Sequence, residues 1–196
     1  MKKTKWIIGL LLMVFLSGNY LVAQEVTTGN KQQKKQTRAE KKKLKEEAAK
    51  ANWEKIIEMV KAKQFVFMAS YFYTPNGNTM VNPTTNFFSV NGDDAVIQIS
   101  FMSLEGVPTR NDMGGITAKC AVAKYTYDYD ADNYNKPITI RVSARPLAGQ
   151  GSGVYQLDLT IYNDGSGEMQ MGRYNLRMSG KLSSPDKAKI FQGNTR

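Results

Sequence analysis

From residue 138 onward apolar and polar residues alternate one by one, and nothing else in the chain constrains its fold as strongly. Ile138, Ile140, Val142 and Ala144 share one parity, while Thr139, Arg141, Ser143 and Arg145 share the other. Successive side chains of a strand point to opposite faces, so this spacing predicts a strand with one covered and one wet face. Tyr155, Leu157, Leu159 and Ile161 repeat the pattern, as do Leu176, Met178, Gly180 and Leu182. Asn163-Asp164-Gly165 supplies turn chemistry before a short strand over Glu168–Met171.

Upstream the same period holds with interruptions. Phe65–Tyr73 is apolar at both parities, which predicts a strand covered on both faces. Asn86–Val90 reads as a strand, Asn91-Gly92 as a hairpin turn, and Ala95–Phe101 as the next strand. Leu104–Asp112 reads as a loop, and Gly114-Gly115 restarts the chain. Over Ile116–Tyr129 the pattern changes face. Ile116, Ala118, Cys120 and Val122 share one parity and Tyr125, Tyr127 and Tyr129 the other. A strand cannot change faces without a bulge or a break, so one is expected near Ala123-Lys124. The fold class that follows is mainly β with an N-terminal α-helix: an antiparallel sandwich or small barrel of seven to eight strands over residues 64–183. Residues 184–196 form a polar tail, in which Phe191 is the only large aromatic that could tie it down.

The helix precedes the strands, over residues 37–63. This stretch is rich in Lys, Glu and Ala, and Thr37 with Glu40 resembles a capping box. At 100° per residue Ala49, Trp53, Ile56, Ile57 and Val60 fall on one face, while Leu44 points elsewhere. The expectation is a docked half from Ala49 to Lys63 and a solvated extension from Arg38 to Lys45. Residues 24–36 are polar, lack an apolar period and are expected to be a disordered linker.

Residues 1–23 carry the marks of a signal peptide. Lys2, Lys3 and Lys5 precede the apolar run Trp6–Leu16, and Ala23 offers a small residue at the cleavage position. The uncharged stretch is diluted by Ser17–Tyr20, which favours cleavage over a retained span. No Cys follows the run, so no lipid anchor is expected there. The expected location is therefore periplasmic or secreted, in the cell envelope of a Gram-negative bacterium, with no transmembrane segment after cleavage.

Composition narrows the chemistry. The chain has no histidine, which removes the commonest general base and metal ligand together. Cys120 is the single cysteine, so no internal disulfide can form. The formal charge of +10 sits mostly before the strands: residues 24–63 hold 12 Lys and Arg against 6 Glu, whereas residues 64–196 hold 12 against 11 acids.

Taken in order, Phe65-Val66-Phe67, Thr85-Asn86-Phe87-Phe88-Ser89-Val90-Asn91-Gly92, Ala95-Val96-Ile97-Gln98, Gly114-Gly115-Ile116-Thr117 and Leu176-Arg177-Met178-Ser179-Gly180 behind a helix resemble a family. It is the Bacteroidetes envelope family catalogued as domain of unknown function 4251, and the likeness runs from about Thr37 to Leu182. The resemblance implies an exported β-rich domain. It carries no activity and no functional residues with it.

Four residue groups invite a chemical reading. Asp128, Asp130 and Asp132 imitate the start of a calcium loop, but Asn133 and Thr139 stand where an EF-hand needs Gly and Glu; a polar turn is the expectation. Glu105 and Glu168 are the only glutamates after the helix, and a glycan-acting hydrolase built on paired carboxylates is the weakest alternative. Tyr71, Tyr73, Tyr125, Tyr127, Tyr129 and Tyr134 could present flat rings to a sugar or lipid, though strands select tyrosine for packing too. Lys34, Lys35, Arg38 and Lys41-Lys42-Lys43 could hold anionic envelope material, or only keep a linker soluble. Nucleic acid is not expected, because no aromatics interleave these charges. No catalytic, metal or cofactor-binding residues are assigned, and no cofactor is expected. The reading is a non-catalytic binding or interaction module for a small apolar or glycan ligand. The alternative is a structural accessory tethered through its basic helix.

Overall fold

The computed structural model describes residues 38–74, 77–100, 116–148, 153–172 and 175–192. The expected signal peptide, the expected linker with Lys34 and Lys35, Thr37, Phe101, the expected loop over Leu104–Asp112 with Glu105, and Gly114-Gly115 lie outside them. Helical backbone, α1, covers residues 38–61. The chain divides into two compact units, Met1–Ala48 and Ala49–Arg196. In the first, every described side chain is exposed, and Lys42–Glu46 and Lys43–Glu47 pair one turn apart. No helix among the described residues is long and apolar enough to cross a membrane.

The second unit is a closed antiparallel β-barrel. Its strands are β1 (Gln64–Thr74), β2 (Gly77–Met80), β3 (Phe87–Asn91), β4 (Asp94–Ile99) and β5 (Ile116–Asp128). Then follow β6 (Ile138–Pro146), β7 (Tyr155–Ile161), β8 (Ser166–Met171) and β9 (Leu176–Ser183). Neighbours pair in the order β1-β3-β4-β5-β6-β7-β8-β9, and β9 pairs back onto β1 to close a ring of eight. This decides between the two architectures that alternation left open. β2 is an extra strand that the sequence reading did not include. It shares one edge of β1 with β3: β3 takes Gln64–Met68 and β2 takes Tyr71–Thr74, while β9 occupies the other edge.

Eight strands leave an interior about wide enough for side chains to fill. Phe65, Phe67, Phe88, Ile97, Ile140, Leu159 and Met169 lie in one connected buried cluster. Met169, Met171 and Met178 all belong to it, as core filling. Cys120 lies in the same cluster, and burial pushes its thiol up to about 11. It is a small core residue, as its apolar row implied.

The α1 residues after Ala49 pack on one end of this barrel. Trp53, Ile56, Ile57 and Val60 join the core cluster, and these are the apolar stripe of the sequence. Lys63 adopts φ 53°, the left-handed conformation that ends helices. Its carbonyl accepts the Gly92 N–H at 2.9 Å, which ties the helix end to the β3–β4 hairpin. That hairpin turns on Gly92 and Asp93, with Asn91 still paired to Asp94. Gly92 alone takes positive φ there, at 63°. On a second corner, Asn52 Nδ2 donates to the Asn163 carbonyl at 2.7 Å.

The wet face is not wet everywhere. Val66 and Phe87 point outward yet are buried, and they lie outside the core cluster. Gln98, paired with Phe87, is buried beside them. The tail reaches this end of the barrel: Phe191 N–H donates to the Thr84 carbonyl and Gln98 Nε2 donates to the Phe191 carbonyl. The tail is therefore held through the backbone of Phe191. Its ring is 68% exposed, so the expectation that the aromatic side chain ties the tail is corrected.

Candidate binding groove on the outer face of the barrel

Two β-bulges decide where the tyrosines point. In β5 the register shifts between Val122 and Lys124, where the change of face required one. Beyond it Tyr125 and Tyr127 pair with the inward residues Val142 and Ile140. Tyr125 and Tyr129 thereby meet α1. Trp53 sets its edge on Tyr129 with centroids 5.9 Å apart, and the Lys61 and Lys63 ammonium groups lie over Tyr129 and Tyr125. Tyr134 is half-buried against the core. These rings are packing, apart from Tyr127, which stays 41% exposed.

The second bulge lies in β1, between Ala69 and Tyr71. Phe65, Phe67 and Ala69 point inward, and the extra residue Ser70 breaks the alternation so that Phe72 points inward next. Tyr71 and Tyr73 are thus turned outward. Gly180 faces this bulge as the partner of Ala69, and a Cβ on it would strike the Met68 carbonyl oxygen. The glycine is what lets β9 lie against the bulged strand.

Tyr71 and Tyr73 then sit beside the outward residues of β9 and β8. Tyr71 pairs with Ser179, Tyr73 with Arg177, and Ser179 with Glu168. Both Nε and Nη2 of Arg177 contact Glu168 Oε2, at 3.2 and 2.6 Å. That carboxylate raises the Arg177 pKa through the hydrogen bond and its charge. The guanidinium lies 5.3 Å from the Tyr73 ring centre, and the Tyr73 hydroxyl donates to Ser179 Oγ at 3.1 Å. Along this face runs an open groove of about 340 Å³, lined by Tyr71, Tyr162, Ser166, Glu168, Ser179 and Lys181 with the bulge residue Ser70. Tyr71 and Tyr162 are 41% and 43% exposed. A smaller groove of about 180 Å³ lies between β5 and β6, at Tyr127, Asp128 and Arg141.

The structure therefore splits the tyrosine group of the sequence: Tyr71 lines the large groove, Tyr73 holds the groove residue Ser179 through its hydroxyl, and the β5 row is not part of it. Sequence reasoning missed Tyr162, Ser179 and Lys181 as site residues, because only the β9–β1 closure puts them on one face with Tyr71. Of the acidic group, Asp130 is engaged. Its Oδ2 lies 2.6 Å from Lys136 Nζ and its Oδ1 accepts the Asp132 N–H. Lys136 holds the Asp130 pKa below the usual range, chiefly by that hydrogen bond. This is a turn closed by a lysine. No group of three potential metal ligands occurs among the described residues. Glu168 is held by Arg177 through Oε2. Of the basic group, Arg38 and Lys41-Lys42-Lys43 are exposed on α1.

Fold and groove define a small antiparallel β-barrel whose interior is packed with side chains and whose recess lies on its outer wall. The chain belongs to the family described as Domain of unknown function (DUF4251), whose model matches residues 47–182. It is similar to the crystal structure of a DUF4251 family protein from Bacteroides eggerthii, with a TM-score of 0.53 and 23% identity. That match covers 74% of this chain and 96% of the other, and it speaks to the fold alone. No curated relative matches the sequence.

Proposed function

We propose that this chain is an exported envelope protein whose barrel is a non-catalytic binding or interaction module. The observation that carries the reading is the outer groove between Tyr71 and Tyr162. The inward side chains of the described residues form one connected buried cluster, and the groove lies outside it with two half-exposed tyrosines on its wall. The lone thiol is buried where desolvation raises its pKa, which suits an inert side chain better than a nucleophile. Glu168, tied to Arg177, has the environment of a structural ion pair. Export rests on the N-terminal charge, apolar run and Ala23.

The test is retention of the purified protein on isolated envelopes of its host. Pelleting with them, lost on Tyr71→Ala together with Tyr162→Ala, supports the module. Pelleting that survives both changes but disappears with salt, or on reversing Lys41, Lys42 and Lys43, supports the basic tether instead. Those lysines are exposed on α1. Export is checked by the mass of the mature protein, expected to begin at Gln24.

A further inference from the structure

We propose that the groove on the outer wall of β8, β9 and β1 binds a neutral, pyranose-built glycan chain, with Tyr71 and Tyr162 as its stacking platforms. This rests on the binding-module reading above and names the ligand class.

The wall chooses between ligand classes. A peptide adding a strand needs an unpaired edge. Here β9, which runs under the groove, is paired with β8 on one side and β1 on the other, so the groove floor itself offers no edge. An acyl chain needs an aliphatic lining, and the large apolar surface in this groove comes from tyrosine rings. A nucleic acid needs a run of cations. Arg177 is neutralised by Glu168, which leaves Lys181 as the basic residue lining the groove.

A sugar ring fits what remains. Its flat C–H face stacks on a tyrosine, which offers an apolar body with a polar tip. Its rim of hydroxyls needs mixed donors and acceptors at the groove floor. Glu168 supplies an acceptor whose orientation is fixed, because both Arg177 nitrogens hold Oε2 and Oε1 has no partner among the described residues. Ser179 accepts from Tyr73 and keeps its own proton to donate. Lys181 lies in none of the ion pairs of the described residues. The groove is open to solvent rather than enclosed, which suits a chain passing through more than a small molecule sealed inside. The β1 bulge is the device that builds it: in a strand with unbroken alternation after Ala69, Ser70 would point outward and Tyr71 into the core.

The experiment is an amide NMR titration of the purified protein with cellohexaose, maltohexaose and chitotetraose as probes. At least one is expected to give saturable shifts confined to residues 70–73, 162–168 and 177–181. Tyr71→Ala and Tyr162→Ala should each weaken that binding about ten-fold, the effect of roughly 1.4 kcal/mol of lost stacking. Tyr71→Phe should keep most of it, and Arg141→Ala, at the smaller groove, should change nothing. Unaltered spectra elsewhere show that each variant is folded. Absence of shifts with all three sugars overturns the inference, as do shifts centred elsewhere or binding indifferent to both alanine variants. If the protein still pellets with envelopes through this face while no sugar binds, only the glycan assignment fails. If it does neither, the module reading fails with it.

Discussion

The Tyr125 hydroxyl donates to the Val60 carbonyl at 2.8 Å, so a barrel strand caps the last turn of the helix. Carbonyls at a helix end have no partner within the helix and need one from outside. The bulge between Val122 and Lys124 is what turns Tyr125 toward it. Tyr125→Phe keeps the ring and leaves that carbonyl with one partner fewer. It is expected to cost about 1 kcal/mol by urea unfolding. No measurable loss would mean that water replaces the hydroxyl at no cost.

Trp53 tests the docking of the helix in two ways. It is 5% exposed and packs edge-on against Tyr129. Trp53→Ala should cost about 3–5 kcal/mol, the range for a buried aromatic truncated to Ala. Its Nε1 finds no hydrogen-bond partner among the described residues. Trp53→Phe therefore removes no hydrogen bond and should cost far less. Equal losses for the two would show that the indole N–H has a partner after all.

Gly180 is expected to be irreplaceable by alanine. A Cβ there meets the backbone of Met68 and Ala69, which cannot swing aside as a side chain can. Gly180→Ala should cost at least about 1–3 kcal/mol by overpacking. It should also disturb the groove, because the displaced β1 segment carries Tyr71. A neutral result in thermal unfolding would show that β9 can shift away from the bulge.

Alkali should unfold the protein earlier than its surface charges alone would. Burial raises the Cys120 thiol from 9.0 to about 11, and burial with the neighbouring Tyr127 raises Tyr125 as well. For a raised acid the unfolded chain loses its proton first, so stability is whole below the unfolded pKa and falls as pH rises. The Cys120 contribution fades between about pH 9 and 11. Cys120→Ala should flatten the loss in that window, measured as unfolding midpoint against pH. The native thiol should also resist a disulfide reagent at pH 8.

Much of this architecture was legible in the residues. The change of parity between Val122 and Tyr125 required the β5 bulge, and the stripe from Trp53 to Val60 marked the docked half of the helix. Barrel against sandwich was not legible. Both give the same alternation, and the difference is one non-local pairing, β9 on β1. The groove depends on that pairing, so its residues had no common signal in the sequence. The β1 bulge was hidden for a different reason. Phe65–Tyr73 is apolar at both parities, so a slip at Ser70 leaves no visible break. Strand β2 escaped because Gly77–Met80 is short and mostly polar, although Asn76-Gly77 is a hairpin signal.

The tail gives the last test, and it sets Gln98 against Phe191. Gln98 is 3% exposed on the outward face. Its Nε2 donates to the Phe191 carbonyl at 2.6 Å and to the Thr85 carbonyl at 3.2 Å, and its Oε1 accepts from Thr117 Oγ1 at 3.0 Å. One side chain thus joins β4, β5, the entry to β3 and the tail. Gln98→Leu keeps the bulk and removes these three bonds, leaving the Thr85 carbonyl and the Thr117 hydroxyl to find other partners. Each such buried group costs about 1–3 kcal/mol when it finds none. The tail should loosen at the same time, read as faster exchange of the Phe191 amide and faster tryptic cleavage at the exposed Lys187 and Lys189. Phe191→Ala should do neither, and its stability change should stay within about 0.5 kcal/mol, because the ring stands in solvent while the backbone does the holding. The reverse result, a stable Gln98→Leu and a loosened Phe191→Ala, would return the anchoring role to the aromatic ring.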